Sequence, residues 1–522
     1  MNCLFYRFII FVDQKLNYKK TIIKVIQVNI FRSYFFLTPL FILLGVTGCG
    51  SSDSSGSSNE SSKSVTTPIN PETPSITKTP LLDWNQQSDT YICEALKKHN
   101  ELTIGTTFTP REDDKNDNAL RELEKILETT YTNDLKIISR EPRISTLSVE
   151  MLNCAVLTSL RSLPQVKFVD PEYALPLLPE ELFGFVLSLG GDDEILPYDE
   201  FNPAFYDAQS NDLGYTEFLD QSVVATTNTV SVMKDHQIQK IYDEFEFFGS
   251  PEIGVAVLEN GVVPQYMDYL SASGYYQTQG FYTPNEDGAE PDGIHPQQSD
   301  MLYITQLIKP LMHHGSTMAA RVYKVAPRVT IRSVRASSFI YWYKPSQFNS
   351  VTNAILELAV DPEIRVISAS QGTIIHIHKI ERAIEYFNAH DKIFVVAGGS
   401  SIPLFKKFVG IGFPANLPST ISASGIKDTE LTNGEYVLGT AAHGGPENDF
   451  VVEGQDASSP STAHTAGIIS LIWSVNPRLS RQEIIDIFIE SSHFYQRNGK
   501  KHPQFGWGKV NAYTAYKKAI SR

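Results

Sequence analysis

The C-terminal half of the chain alternates short apolar runs with amphipathic stretches of helical period. Apolar runs bounded by turn residues predict buried strands, and stretches with apolar residues three and four positions apart predict helices. The predicted strands are 253–258, 329–334, 365–369, 393–397 and 420–423, and the predicted helices are 317–324, 351–360, 378–388, 461–473, 481–489 and 512–520. This alternation predicts an α/β fold with a doubly wound parallel sheet, covered by helices on both faces.

Residues 81–175 contain both helical and strand-like apolar patterns, in a different order from the C-terminal half. They predict a small α+β domain. Its predicted helices are 119–129 and 149–163, and its predicted strands are 135–138 and 166–169. Residues 176–245 mix acidic, aromatic, proline and glycine residues without a clear period, so we predict a connector there. The α/β domain then covers residues 246–522.

The N-terminus has the pattern of an export signal. Basic residues precede a short apolar run, 34–46, which is shorter than the roughly 20 residues that a membrane span needs. The run ends Val46-Thr47-Gly48-Cys49, which resembles the lipobox of bacterial lipoproteins. That resemblance implies a lipoprotein signal peptide at 1–49 and a lipid on Cys49; an ordinary signal peptide or a membrane anchor is the alternative. The Ser-rich residues 50–80 predict a flexible tether.

Charge and cysteine content exclude several classes of protein. The chain has 44 Lys+Arg against 59 Asp+Glu, a net charge of −15, and no long basic run, so we expect no nucleic-acid partner. Four cysteines without a CxxC pair exclude a disulfide-dense scaffold and a zinc ribbon. The lipoprotein interpretation implies a lipid-anchored protein in the oxidising periplasm or at the cell surface. With Cys3 removed and Cys49 lipidated, Cys93 and Cys154 are the candidates for a disulfide, or else two free thiols.

Three segments place reactive side chains after a predicted strand or at the start of a helix. Glu259 ends the apolar run of GVAVLENG, His314 precedes a glycine and a helix of small residues, and Ser459 precedes Pro460 at the start of an apolar helix. A carboxylate, an imidazole and a hydroxyl are the parts of a nucleophilic triad, in which the base takes the serine proton and the carboxylate orients the base.

In this order the segments resemble the blocks of the subtilisin-like (S8 family) serine peptidases. VAVLENG is similar to the Asp block, HGSTMA to the His block and ASSPSTAHTAG to the Ser block, while residues 413–419 and 506–512 resemble two further family segments. The resemblance covers roughly residues 230–520. It implies a subtilisin-like sheet, a peptide or protein substrate, and a catalytic set in which Glu259 orients His314, the base, and Ser459 is the nucleophile.

The domain before it, over residues 91–175, resembles the inhibitor-type propeptide of these enzymes. The resemblance implies that the chain's own propeptide domain is a folding aid and a temporary plug of the active site, removed by cleavage within about 175–245. An unrelated spacer domain is the alternative. The resulting hypothesis is a membrane-anchored serine endopeptidase that processes itself.

The sequence departs from the family pattern at the catalytic machinery. The acid is Glu259 instead of Asp, which extends the side chain by about 1.5 Å. The oxyanion-hole Asn is absent, and Ser400, or Gly399 after a one-residue shift, occupies its place. Ala457 replaces a glycine before the nucleophile. The alternative hypothesis is therefore a catalytically impaired pseudopeptidase that acts as a surface binding or scaffolding lipoprotein.

No motif calls for a metal or a cofactor. Carboxylates in the acidic segment 285–293 suit Ca²⁺, but their spacing fits no EF-hand, so we interpret the segment as a solvated loop. His376 and His378 offer two metal ligands, and alternation along a strand edge is the simpler interpretation. His313, next to His314, is predicted to have no role.

Overall fold

The structure is a computed structural model that describes residues 82–97, 99–172, 232–262, 276–280, 314–337, 341–342, 345–400, 410–427 and 436–522. The predicted signal peptide (1–49), Cys49 and the tether (50–80) lie outside the described residues. So do His313 and the acidic segment 285–293. Within the described ranges, no helix combines the length and the apolar character that crossing a bilayer requires.

The front domain, residues 82–172, is built on a four-stranded antiparallel sheet of order β3-β4-β2-β5. Its strands are β2 (Glu101–Gly105), β3 (Leu135–Glu141), β4 (Thr146–Met151) and β5 (Phe168–Pro171), preceded by the short β1 (Leu82–Asp83). Its helices are α1 (Asp89–Leu96), α2 (Asp113–Thr130) and α3 (Leu157–Arg161). The α2 helix buries Leu120, Leu123 and Leu127 along one face, as its period predicts.

The helix predicted over 149–163 is wrong in its first half. Residues up to Met151 belong to β4, which pairs with both β2 and β3, and the α-helix covers Leu157–Arg161 alone. Leu152, which a continuous helix would bury, is 56% exposed. Pairing on both edges satisfies the backbone of β4 and overrides a helical pattern that the side chains also permit.

The second unit, which consists of the described residues from 232 to 522, contains a seven-stranded sheet of order β13-β12-β11-β9-β6-β8-β7. Every neighbouring pair in this sheet is parallel. The strands are β6 (Gly254–Glu259), β7 (Tyr276–Gly280), β8 (Thr330–Arg335), β9 (Ile364–Ala369), β11 (Ile393–Ala397), β12 (Ile421–Ile426) and β13 (Phe450–Glu453), and β10 (Ile375–His376) pairs with β1 instead. The predicted α/β parallel sheet is therefore confirmed.

Helices on this sheet account for most of the second unit's remaining core. They are α4 (Ile238–Phe245), α5 (His314–Val325), α6 (Pro345–Val360), α7 (His378–Ala389), α8 (Ser458–Trp473), α9 (Arg481–Glu490), α10 (His493–Asn498) and α11 (Ala512–Ser521). Every residue of α8 is buried, so this helix lies inside the unit with Ser459 in its first turn. The α4 helix, in the stretch predicted as a connector, packs into the same apolar cluster through Ile238, Ile241 and Tyr242.

The front domain packs against α7 through polar contacts. The Arg382 guanidinium donates to the carbonyl oxygens of Thr106, Ile144 and Ser145, over 2.6, 3.0 and 2.9 Å. Lys379 forms a buried ion pair with Glu172. The Arg382 bonds join α7 to backbone carbonyl groups of the front domain, and the carbonyl of Ser145 also accepts the N–H of Thr106.

Candidate active site

Glu259 and His314 form a buried pair at the carboxyl end of β6. Glu259 is the last residue of that strand and His314 the first residue of α5. The His314 Nδ1 atom lies 2.9 Å from Glu259 Oε2, and the two residues are 3% and 1% exposed. The helix can start so close because position 315 is glycine: a Cβ there would lie 2.1 Å from the carbonyl oxygen of Gly261.

The second oxygen of Glu259 also has a partner. The Ser370 N–H donates to Oε1 over 3.1 Å, and the Ser370 hydroxyl donates to the carbonyl oxygen of Ser459 over 3.2 Å. Ser370 follows β9, the neighbour of β6 in the sheet. It therefore links the carboxylate of Glu259 to the backbone of the predicted nucleophile, at the edge of the sheet where the strands end.

The Glu259 carboxylate determines which nitrogen of His314 carries a proton. A carboxylate only accepts hydrogen bonds, so a neutral His314 donates through Nδ1 and keeps its lone pair on Nε2. A base needs that arrangement, with the free lone pair on the nitrogen away from the acid.

Ser459 lies in the first turn of α8. Its N–H has no acceptor within the helix at that position, and Pro460 after it has no N–H to leave unpaired. Ser459 is 9% exposed, whereas the adjacent Ser458 is 1% exposed and its hydroxyl accepts a bond from the Gly399 N–H. Ser459 is therefore the more accessible of the two serines.

The structure brings His314 and Ser459 to the same edge of the sheet without a hydrogen bond between them. Among the residues that the structure describes, none hydrogen-bonds the Ser459 hydroxyl. Bonds between nucleophile and base are often longer in the free enzyme than in the complex with substrate, so this geometry is compatible with a triad.

Gly399 and Ser400, the predicted oxyanion residues, both contact Ser458. The Gly399 N–H donates to the Ser458 hydroxyl (3.2 Å), the Ser458 N–H donates to the Ser400 hydroxyl (3.0 Å), and the two hydroxyl oxygens are 2.8 Å apart. Gly399 has φ +120°, and a Cβ there would lie 2.7 Å from the His443 ring. These hydrogen bonds hold the start of α8 in place. The Gly399 N–H and the Ser400 hydroxyl, the predicted oxyanion donors, therefore also have a structural role.

Ala457 does not need the conformational freedom of glycine. Its φ and ψ are −122° and 165°, an extended conformation that any residue adopts. The replacement of a family glycine at this position therefore adds no backbone strain.

The histidine of the Ser block, His464, belongs to the core. His464 is fully buried on α8. Burial, with the nearby Arg321 charge, holds the pKa of His464 well below its usual value. A neutral histidine enclosed in this way has no access to a substrate, so His464 is not a candidate for the base.

Sequence reasoning missed Ser370 and Ser458. Ser370 directly follows a predicted strand, as Glu259 does, and that shared position is the signal by which it could be found. Ser458 has no comparable signal, because its role depends on a loop that is 58 positions away in the sequence.

The sequence profile of the subtilase family matches residues 250–508. This region is a subtilase domain. Its family supports the activity of a serine protease, with a peptide or protein as substrate. The match includes the Glu259, His314 and Ser459 positions, so the site described above lies within the part of the chain that carries the family pattern.

Two solved structures are similar to this chain. Fervidolysin from Fervidobacterium pennivorans, a keratinolytic enzyme related to subtilisin, is 15% identical with a TM-score of 0.50 over 84% of this chain and 63% of its own. The epidermin leader peptide processing serine protease from Staphylococcus aureus is 13% identical, with a TM-score of 0.47 over 80% of this chain and 97% of its own. No curated protein matches the sequence. The fervidolysin comparison shows the subtilisin-like fold.

Proposed function

We propose that this protein is a lipid-anchored serine endopeptidase that uses a Glu259/His314/Ser459 triad. The observation that carries the proposal is the 2.9 Å contact between Glu259 and His314, two buried ionisable side chains with no other evident reason to be enclosed together. Enclosing a carboxylate and an imidazole is costly, and such arrangements cluster at functional sites.

In the proposed reaction, Ser459 attacks the peptide carbonyl while His314 Nε2 accepts the hydroxyl proton. Glu259 stabilises the imidazolium that forms, and His314 then gives the proton to the leaving amine. Water hydrolyses the acyl-enzyme by the same proton transfers. The Ser459 N–H, at the positive end of α8, is the first donor to the oxyanion. The Ser400 hydroxyl supplies a second donor when Ser458 donates to it, since that frees the Ser400 hydrogen.

The front domain is proposed to be a propeptide that the enzyme cleaves within about 175–245. Its packing on α7, with Lys379 paired to Glu172, the last described residue of the front domain, supports a domain that stays docked until the connection is cut. The chain would be held at a bacterial membrane, facing the periplasm or the cell surface, through a lipid on Cys49. Cys49→Ser is expected to release the protein from washed membranes.

The test combines intact mass with a fluorophosphonate probe, which reacts with an activated serine. The wild-type chain is expected to be labelled at Ser459 and to yield a fragment that begins within about 175–245. Ser459→Ala should do neither, whereas Ser458→Ala should still be labelled because it retains the nucleophile. A folded wild-type protein that stays full length and unlabelled would overturn the proposal.

A second candidate is a catalytically impaired pseudopeptidase that binds or scaffolds at the surface. It is favoured by the Ser459 hydroxyl, which lacks a bond to His314, and by the Ser400 hydroxyl, which contacts Ser458. The same experiment separates the two candidates: identical full-length masses for wild type and Ser459→Ala, with no labelling, would support the pseudopeptidase.

A further inference from the structure

Two histidines and a glutamate converge where α7 begins, beside the front domain. One ligand atom from each of His376, His378 and Glu381 lies within 4.8 Å of the others. The imidazole ring centroids are 4.5 Å apart, and His376 Nε2 is 2.8 Å from Glu381 Oε2. The local sequence explains this convergence, because His376 ends β10 and Glu381 is one turn after His378 on the same face of α7.

We propose that His376, His378 and Glu381 form a binding site for a divalent transition metal, of which Zn²⁺ is the best match. Zn²⁺ prefers imidazole nitrogen and carboxylate oxygen, at about 2.0–2.2 Å. Ligand atoms around a tetrahedral Zn²⁺ are therefore roughly 3.3 Å apart. The observed separations, from 2.8 Å between His376 Nε2 and Glu381 Oε2 to at most 4.8 Å within the group, lie on both sides of that value.

The surroundings of His378 prepare it as a ligand. Asp170 Oδ1, from β5 of the front domain, lies 2.9 Å from His378 Nδ1, so a neutral His378 donates there and keeps its lone pair on Nε2. Asp170 also accepts the His378 N–H over 2.8 Å. A carboxylate that orients the far nitrogen of a histidine is the usual support of a metal-bound imidazole.

Asp83 of the front domain is the candidate for a fourth ligand, and its carboxylate oxygens also accept the Asn85 N–H and the Gln86 side-chain amide. Asp83 pairs in register with His376 across β1 and β10, and its Oδ1 atom lies 3.9 Å from His378 Nε2. Aromatic rings line the group, since Phe168 stacks on His378 with centroids 4.5 Å apart and Phe413 lies 5.0 Å from His376. An apolar lining of this kind limits the access of water to a bound ion.

The bound metal would join the two units. Its three ligands belong to the second unit, whereas Asp83 and the supporting Asp170 belong to the front domain. The site is separate from the proposed triad, whose residues lie at the end of β6 and at the starts of α5 and α8. Metal binding is therefore measurable whether or not the enzyme is active.

The test is Zn²⁺ titration of the full chain carrying Ser459→Ala, which keeps the two units in one polypeptide. After treatment with a chelator and dialysis, calorimetry is expected to show one Zn²⁺ per chain, and Co²⁺ in its place should give the visible absorption of a tetrahedral site. His376→Gln and Glu381→Gln should each weaken binding by more than 100-fold. Asp170→Asn, which alters only the support of His378, should weaken it by about 10–100-fold.

His390→Gln is the matched control, because His390 lies at the end of the same helix and outside the group. It should bind Zn²⁺ as the parent chain does. Zn²⁺ should also raise the unfolding temperature of the parent but not of Glu381→Gln. Absence of a stoichiometric site in the parent would overturn the proposal, as would equal affinity in His376→Gln and His390→Gln. If a ligand variant fails to fold, the Co²⁺ spectrum of the parent decides alone. A spectrum that lacks the bands of a tetrahedral site with histidine nitrogen ligands would contradict the assignment.

Discussion

Glu259 reaches His314 over 2.9 Å although its side chain is one methylene longer than the aspartate of the family pattern. The contact forms because β6 ends at Glu259 and Ser370 holds the other carboxylate oxygen. The position of His314 therefore matches the longer acid, and restoring the family residue should not improve the site.

Glu259→Asp is accordingly expected to lower activity. It withdraws the carboxylate by about 1.5 Å, and a misplacement of about 1 Å can cost on the order of 10²-fold in rate. The measurement is the rate of fluorophosphonate labelling at Ser459. Glu252→Asp, at an exposed position before the same strand, is the control and should leave the rate unchanged. Faster labelling of Glu259→Asp would mean that the glutamate impairs the site.

The Ser400–Ser458 contact predicts a loss of stability in Ser400→Ala. The substitution removes the acceptor of the buried Ser458 N–H, which should lower the free energy of unfolding by about 1–3 kcal/mol. A double-mutant cycle with Ser458→Ala, followed in urea, should show coupling because the hydroxyls contact each other.

The opposite result would assign Ser400 to catalysis alone. In that case Ser400→Ala would retain the parent's stability and lose about 10²–10³-fold in rate, the usual effect of deleting an oxyanion donor. Comparing stability and rate in the same variant distinguishes the two roles.

The parallel sheet was predictable because its central strands are buried on both faces. Such strands are continuous apolar runs, so the predicted 329–334 and 393–397 agree with β8 and β11 to within a residue at either end. The strands at the two edges of the sheet, β7 and β13, were not predicted. The segment YQTQG of β7 is largely polar, so it lacks the apolar run by which a buried strand is predicted. Its strand conformation depends on pairing with β8.

Residue types at strand ends and helix starts indicated the candidate site, whereas the links between its parts could not be predicted. Glu259 and Ser370 meet because β6 and β9 are neighbours, and strand order is a property of the whole sheet. The same limit applies to Asp170 and His378, which are separated by 208 positions in the sequence. Local patterns predict elements, but these contacts depend on how the elements assemble.

The buried pair of Lys379 and Glu172 predicts a strong effect of a single substitution. Lys379→Met leaves the Glu172 carboxylate enclosed without its cation, which should cost about 3–5 kcal/mol. Urea unfolding of the Ser459→Ala chain measures this cost, and adding Glu172→Gln should recover part of it. Lys97→Met is the control, because its pair with Glu94 is exposed and surface pairs contribute little. A loss no larger than that of the control would show that the pair is solvated.

The disulfide between Cys93 and Cys154 joins α1 to the turn before α3, across 61 positions. Closing a loop of that length stabilises the folded state by about 4 kcal/mol through the entropy of the unfolded chain. Cys93→Ser with Cys154→Ser should lower the stability of the front domain by a similar amount. Dithiothreitol should reproduce the loss in the parent and have no further effect on the double variant. Equal stability with and without reductant would contradict the prediction.

Acid should destabilise the second unit through His236. Burial, assisted by the charge of Lys509, lowers the pKa of His236 to about 3, against an unfolded value of 6.5. Between these values the unfolded chain binds a proton that the folded chain does not, so stability is complete above about pH 6.5 and falls as the pH decreases towards 3. The loss attributable to His236 should reach about 2 kcal/mol at pH 5.

His236→Gln removes this titration and retains a side-chain donor for the carbonyl oxygen of Val510, which His236 Nδ1 contacts at 2.8 Å. Urea unfolding at pH 7 and pH 5 should show a smaller difference for the variant than for the parent, by about 2 kcal/mol. His99→Gln, a substitution at the surface of the front domain, should leave the parent's difference intact. If His236→Gln also leaves the parent's difference intact, the folded chain takes up the proton as readily as the unfolded chain does. Water must then reach a ring that is buried beside the carbonyl oxygen of Val510.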